Sequence, residues 1–298
     1  MDKDLLFKFL KSPEGIRQIR KYAKGSIRQA LRFSDLCKID FILAPLNEQK
    51  ELIKKFQQLE GHHQSIDKEL DTQLAYLTQL RQALLREAMQ GQLLPQDPTD
   101  EPAAELLQQL QAAAKPGKKG RGQAGALFVE EAEAIEGPFA IPPSWVWVRL
   151  GDTTKFIDYR GKTPTKTESG VKLITAKNVK RGYFSEYPQE FISEADIKTH
   201  MTRGWPVKGD VLFTTEAPLG NACLLNEEPP FALAQRIITL QPKESILNTF
   251  LLQAILSEGV QAQLKEKASG ATAQGIKSSR LVDVLIPLPP PYPSSTAS

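Results

Sequence analysis

The chain has 298 residues, room for one large domain or two ordinary ones. Its 41% hydrophobic and 24% charged residues exclude wholesale disorder, and its 19 Gly and 21 Pro follow no period, which excludes a fibrous repeat. Net charge is +3, from 38 Lys and Arg against 35 Asp and Glu, so overall charge selects no partner.

Residues 1–24 read as one or two short helices, with Leu5, Leu6, Phe9 and Leu10 on one face and a helix-start signal at Ser12-Pro13-Glu14-Gly15. Gly25-Ser26 breaks the pattern. Phe41-Ile42-Leu43-Ala44-Pro45 reads as a short buried strand stopped by proline. Residues 46–91 then follow a heptad without a proline. Leu52, Leu59, Ile66, Gln73, Leu80 and Glu87 form one row, and Phe56, His63, Leu70, Leu77, Leu84 and Gly91 the other. That spacing predicts a helix of roughly 65 Å with a coiled-coil seam. A helix so long cannot bury its own seam, so Leu52, Phe56, Leu59, His63, Ile66, Leu70, Leu77, Leu80 and Leu84 are predicted to face a partner helix. His63 and Gln73 are read as polar residues that set register rather than as ligands.

Gly91 reads as the helix stop. Residues 92–141 are predicted to be a connector: a Pro-rich run at 94–102, a short amphipathic helix at Ala103–Ala114 capped by Thr99 or Asp100, and a Gly/Lys-rich stretch with weak order over 115–136. From Pro142 onward the pattern changes. Ser144–Leu150, Lys172–Ala176, Asp210–Thr214 and Arg236–Leu240 read as strands separated by turn signals, and Thr249–Leu264 as one helix. The fold class is therefore α+β: a β-rich mixed domain over 142–290 beside a long coiled-coil helix, with an irregular tail at 291–298.

The chain also repeats itself. Phe9–Ile16 matches Ile255–Val260 in pattern, with small gaps. Gly25–Leu31 matches Gly270–Ile276, Leu36 falls on Leu281, and Asp40–Pro45 resembles Val284–Pro290. The chain thus begins, over 1–45, with a copy of the end of its own main domain.

Two cysteines, Cys37 and Cys223, make no disulfide framework, and with His62, His63 and His200 they make no zinc motif; packing is the expected role of both thiols. Glu216 beside Thr214-Thr215, and Asp158 with Glu168, lack any nucleophile and base to act with, so no catalytic residue is predicted. No phosphate-binding loop or other cofactor motif is present. No window approaches the roughly 18 apolar residues of a membrane span. The charged start carries no signal-peptide pattern, so a cytoplasmic protein is expected. Charge is unevenly spread. Residues 155–181 hold eight Lys or Arg against two acids, and residues 1–35 hold nine against four. Such basic stretches suit a nucleic acid, or else form a solvated surface.

Five stretches add a specific resemblance. They are Ile42-Leu43-Ala44-Pro45-Leu46-Asn47-Glu48-Gln49, Leu84–Leu93 with Pro95–Pro98, Pro142–Asp152, Ile157–Pro164, and Gly270–Ile276. In that order they resemble the DNA specificity subunits of type I restriction–modification enzymes, over nearly the whole chain. The resemblance implies a non-catalytic subunit that binds double-stranded DNA and docks methyltransferase (modification) subunits and a restriction subunit. Those partners bring the S-adenosylmethionine and ATP chemistry. It also implies that 1–45 is the tail of a first recognition domain, 46–91 a spacer helix acting as ruler, and 142–290 a complete recognition domain. Family members carry two such domains and two helices, whereas one helix is present here. A homodimer through the seam, reading a bipartite site, would restore the pair; a truncated remnant or a coiled-coil scaffold without DNA binding is the alternative. The DNA-contacting candidates are Tyr159, Arg160, Lys162, Lys177, Asn178, Lys180, Arg181, Thr214, Thr215, Gln235, Arg236, Thr272 and Gln274.

Overall fold

Residues 3–22 form two helices rather than one because Ser12-Pro13 resets the backbone. In the computed structural model, which describes residues 3–25, 29–112, 135–159, 164–243, 246–270 and 274–291, α1 spans Lys3–Lys11 and α2 spans Pro13–Tyr22. The Ser12 hydroxyl donates to the Phe9 carbonyl at 2.7 Å and accepts from the Gly15 amide at 3.1 Å, capping α2. Pro13 follows at a position whose amide needs no partner. Next come a single-turn helix, α3 (Phe33–Leu36), and the long α4 (Leu46–Met89). The chain divides into two units, 1–78 and 79–298, so the division falls within α4.

Within the first unit, the strand expected at Phe41–Pro45 does not form. Ile42 is 92% exposed and Leu43 61% exposed, in irregular backbone. A strand needs a paired neighbour, and none is present among the described residues. The predicted long helix does form, and its seam is bare. Leu52, Phe56, Leu59, Ile66, Leu70, Leu77, Leu80 and Leu84 are all at least 40% exposed. His63 turns to its own helix, with Nδ1 2.9 Å from a carboxylate oxygen of Asp67. The helix ends as expected at Gly91, where φ is +67°. The Gln92 amide reaches back to the Glu87 carbonyl at 2.8 Å, and the Gly91 amide to Ala88 at 3.1 Å.

In the second unit, part of the expected connector belongs to the core. Helix α5 (Ala103–Ala112) buries Ala103, Leu106 and Leu110 against Leu85 and Met89 of α4. Of the segment expected to be weakly ordered, 115–136, residues 115–134 lie outside the described residues, as does the tail from 292.

The domain then runs β1 (Val146–Arg149), α6 (Leu150–Thr153), β2 (Thr154–Asp158), β3 (Lys166–Thr167), β4 (Val171–Ile174) and β5 (Phe191–Ile192). A 3₁₀ turn and α7 (Ile197–His200) lead to β6 (Val211–Thr214), β7 (Ala222–Leu224), β8 (Phe231–Leu233) and β9 (Ile237–Pro242). Last come α8 (Asn248–Leu256), α9 (Glu258–Lys267), α10 (Ser278–Leu281) and β10 (Leu285–Leu288). The single helix expected over 249–264 is therefore two. Extended backbone at Ser257 (φ −67°, ψ 151°) separates them, and its hydroxyl bonds the Ala254 carbonyl at 2.7 Å.

Among the described residues three sheets result: an antiparallel pair β1-β10, an antiparallel sheet β2-β9-β6-β7, and a mixed sheet β3-β5-β4-β8 in which β4 and β8 run parallel. Alternation in β6 explains its unbroken apolar run. Val211 and Phe213 join a core under α8, α9 and α5, while Leu212 joins a second core shared with β4 and β8. Both faces of the central sheet are buried.

Two outcomes test this packing. Leu106→Ala should cost about 2–4 kcal/mol in a urea titration, because α5 is core and not connector. Burial pushes the Cys223 thiol up to about 12, while Cys37, expected to be packed, is exposed. A thiol reagent at pH 8 should therefore modify one cysteine in the native protein and two in denaturant.

Candidate nucleic-acid interface

Strand β2 delivers Tyr159 into the second core rather than to the surface. The residue is fully buried, stacked on His200 with centroids 5.6 Å apart. Its hydroxyl accepts from the Arg203 amide and donates to the Gly204 carbonyl, each at 2.8 Å. Burial pushes the phenol up, against these bonds. Tyr159 therefore cannot stack on a base; it anchors the strand end from which the following loop departs. Arg160 and Lys162 lie outside the described residues.

The next loop, after β4, is built around Asn178, 1% exposed. Its Oδ1 accepts from the Thr175 amide at 2.9 Å, and its Nδ2 donates to the carbonyls of Ser185 at 2.9 Å and Pro188 at 3.0 Å. All of that amide is spent within the protein, so Asn178 staples the loop and is not placed to read DNA. Arg181 is likewise committed: it donates to the Leu256 carbonyl at 3.0 Å, at the end of α8. Lys177 pairs with Glu190 at 3.1 Å, and Lys166 with the same carboxylate at 2.6 Å. Burial would raise the Glu190 carboxyl; the two lysines outweigh it and hold it below its ordinary value. Lys172 pairs with Glu227 and lies over the Phe184 ring. Three of the eight basic residues in 155–181 are thus paired with acids outside that stretch. Lys180 stays half-buried, in no ion pair among the described residues.

The aromatics this loop does expose are Tyr183 and Tyr187, at 62% and 71%. Sequence reading missed them; the turn at Gly182, with φ +93°, was the available signal.

A third arrangement draws three segments together. The Thr215 amide bonds the Arg236 carbonyl at 3.0 Å, the Ile276 amide bonds the Thr215 carbonyl at 3.0 Å, and Glu216 bridges Gly275. Thr214 and Thr215 are buried. The Thr214 hydroxyl donates to the Pro218 carbonyl at 2.6 Å and accepts from the Asn221 amide at 3.1 Å, so Thr214 shapes its own loop while Thr215 ties that loop to Arg236 and Ile276. On the exposed rim stand Arg236 and Gln274, with Gln235 half-buried beside them. Arg236 sits at φ +74° and Ala217 at +43°, the positive-φ non-glycine residues among those described. Such strain is held only where surrounding bonds over-determine the backbone. The Arg236 guanidinium meets Glu216 at 3.0 Å. Gln274 and Lys265 line a cleft of about 460 Å³ with Ala217, Pro218 and Gln261. Thr272 lies outside the described residues. The geometry leaves forked, exposed donors on a rigid rim, a chemistry suited to phosphates and base edges. No group of three or more His, Cys, Asp and Glu among the described residues could hold a metal ion, and none of their helices is long and apolar enough to cross a membrane.

These assignments separate by stability. Asn178→Ala should cost about 2–3 kcal/mol in thermal unfolding, since it strands one amide and two carbonyls. Lys177→Ala, at an exposed ion pair, should cost less than about 1 kcal/mol.

Comparison with known proteins follows the same outline. A family model described as "Type I restriction modification DNA specificity domain" matches residues 142–293. The chain is 27% identical over 215 residues to the type I restriction enzyme EcoAI specificity subunit of Escherichia coli, covering 68% of this chain and 35% of that protein. It is 25% identical over 239 residues to the EcoEI specificity subunit of the same organism, covering 74% and 39%. It therefore spans between a third and two fifths of the length of these relatives. A chain from a solved structure of the type I R-M system shares the fold at TM-score 0.54 and 20% identity, over 96% of this chain and 59% of that one.

Proposed function

Because the chain belongs to the type I restriction modification DNA specificity family, we propose that it reads double-stranded DNA for a restriction–modification assembly and catalyses nothing itself. The observation that carries this reading is the meeting of three loops that hold Arg236 and Gln274 on one exposed rim. Arg236 offers the paired donors that suit a guanine edge or a phosphate; Glu216 holds that fork in one orientation. Lys177, Lys180 and Gln235 supply neighbouring contacts, joined by Arg160, Lys162 and Thr272. Methylation and cleavage belong to methyltransferase and restriction subunits that dock on the protein.

The α4 seam supports the ruler. Two chains pack their helices antiparallel about a two-fold axis and set one recognition domain, residues 142–290, at each end. The pair reads a bipartite, palindromic site. Residues 1–45 are the tail of a first recognition domain. Leucines exposed at 40% or more along a helix otherwise carry a standing cost in water.

Titrating a DNA duplex against salt tests the reading. Six or more phosphate contacts should weaken binding by roughly a thousandfold or more between 50 and 200 mM salt. An affinity flat in salt would sink the proposal. Arg236→Ala should cost roughly 1–3 kcal/mol at one position of the preferred site, with folding unchanged. Light scattering should give about twice the 33.1 kDa chain mass, and Leu70→Asp should return it to one. A strict monomer at micromolar concentration would withdraw the ruler.

A further inference from the structure

Helix α8 stops at Leu256 because the backbone at Ser257 is extended, and the carbonyls of its last turn have no partners within the helix. Ile255 and Leu256 are 1% and 2% exposed, so the bonds must come from the protein. Two side chains from other segments supply them. Arg181, in the loop after β4, donates Nη2 to the Leu256 carbonyl at 3.0 Å. Gln261, in the first turn of α9, donates Nε2 to the Ile255 carbonyl at 2.8 Å. The same Nε2 donates to the Gly220 carbonyl at 2.9 Å, and Oε1 accepts from Arg181 Nη1 at 3.4 Å. Both hydrogens and the oxygen of the amide are therefore engaged, each with a different segment. Glutamate has no hydrogen to give, lysine accepts nothing, and asparagine is one carbon short. The backbone leaves room for this side chain: Gly220 sits at φ +83°, and a Cβ there would lie 2.8 Å from Gln261 Oε1.

Gly220 belongs to the loop that carries the rim. Its amide donates to the Thr214 carbonyl at 3.0 Å, and four residues before it stands Glu216, whose carboxylate meets the Arg236 guanidinium at 3.0 Å. The loop after β4 runs beside this one. The Gly182 amide donates to the Ala222 carbonyl at 2.8 Å, and Asn221 Nδ2 to the Val179 carbonyl at 3.2 Å. The two loops are thus joined to each other, and Gln261 with Arg181 joins both to the break between α8 and α9.

We propose that Gln261 is a positioning residue for base recognition, a role that rests on the reading of Arg236 as a donor to DNA. Gln261 itself contacts no base. It holds the Glu216–Gly220 loop against the helices, and through Glu216 it fixes the direction of the Arg236 fork. A forked donor discriminates between bases only while both N–H groups stay aligned with their acceptors. A loop released from Gln261 keeps its charge, and so its attraction to phosphates, but loses its choice of base. Loss of this one amide therefore separates specificity from affinity.

The probe is a pool of random-sequence DNA duplexes, bound by the full chain and sequenced, with a salt titration of the unselected pool alongside. The wild-type chain is expected to enrich a preferred sequence. Gln261→Ala should lower the preference by roughly five- to tenfold at the position that Arg236→Ala flattens, and the double variant should lose no more than Arg236→Ala alone. Its salt slope should be unchanged, because no phosphate contact is removed. Gln261→Glu keeps the size of the side chain and loses both donated bonds, so it should behave as Gln261→Ala does. Gln263→Ala is the control: two residues on in the same helix, that glutamine bonds Leu285 and neither loop, and its loss should leave the preference intact. Circular dichroism checks that each variant is folded. A wild-type chain that enriches no sequence overturns the reading of DNA, and this role with it. Where the wild type does enrich one, four results overturn the positioning role alone: full preference in either Gln261 variant, equal loss in Gln263→Ala, loss additive with that of Arg236→Ala, or a shallower salt slope.

Discussion

The strand pair β6-β9 is buried on both faces, and the rest of the second unit is arranged to cover it. Backbone amides in so dry a place must pair within the ladder, and both faces must meet apolar surface. Helices α8, α9 and α5 cover one side, and the sheet holding β4 and β8 covers the other. The same pair ends at Thr214 and begins at Ile237, so it fixes where the loops at 214–221 and 235–236 emerge. The strained backbone at Ala217 and Arg236 stands on this frame. A rim of exposed donors is useful for recognition only if the support beneath it does not move.

That support is made of the residues whose types first suggested contact with DNA. Tyr159, Asn178, Thr214 and Thr215 are polar and sit in the right segments, yet each spends its donors and acceptors on neighbouring backbone. Buried polar groups must be satisfied, and a loop that carries function needs such anchors. The charge pattern was misleading for a related reason. Lys166, Lys172 and Lys177 form a basic run along the chain, but Glu190 and Glu227 reach them in space. Those lysines stay at the surface but in ion pairs or over a ring, beside the exposed Arg236, Gln274 and the tyrosines at 183 and 187.

The two copies of the helix–turn–strand device show how little of a fold is local. In both copies a serine bonds the carbonyl three residues back, Gln18 or Gln263 clips the backbone of Asp40 or Leu285, and a bridge joins Lys24 to Ala30 or Ser269 to Gly275, because all are set within forty residues; only Ser12 also caps its helix. Only one copy has a strand. Extended backbone becomes a strand when a neighbour takes its bonds, and that neighbour lies about 140 residues upstream in the second copy.

Period, punctuation and repetition were legible in the sequence. The heptad gave the long helix from Leu46 and Gly91 its end, and apolar runs gave the strands near 146, 171, 211 and 237. These features arise from contacts within a few residues or from a simple period, so one dimension holds them. Tertiary structure decided which of those apolar runs found a partner. It left Phe41–Pro45 without a strand, broke the helix at Ser257, and drew α5 from an apparent connector into the core. It also decided which polar side chains are buried anchors and which stand at the surface. Burial and pairing depend on residues far apart in the chain, and no local pattern records them.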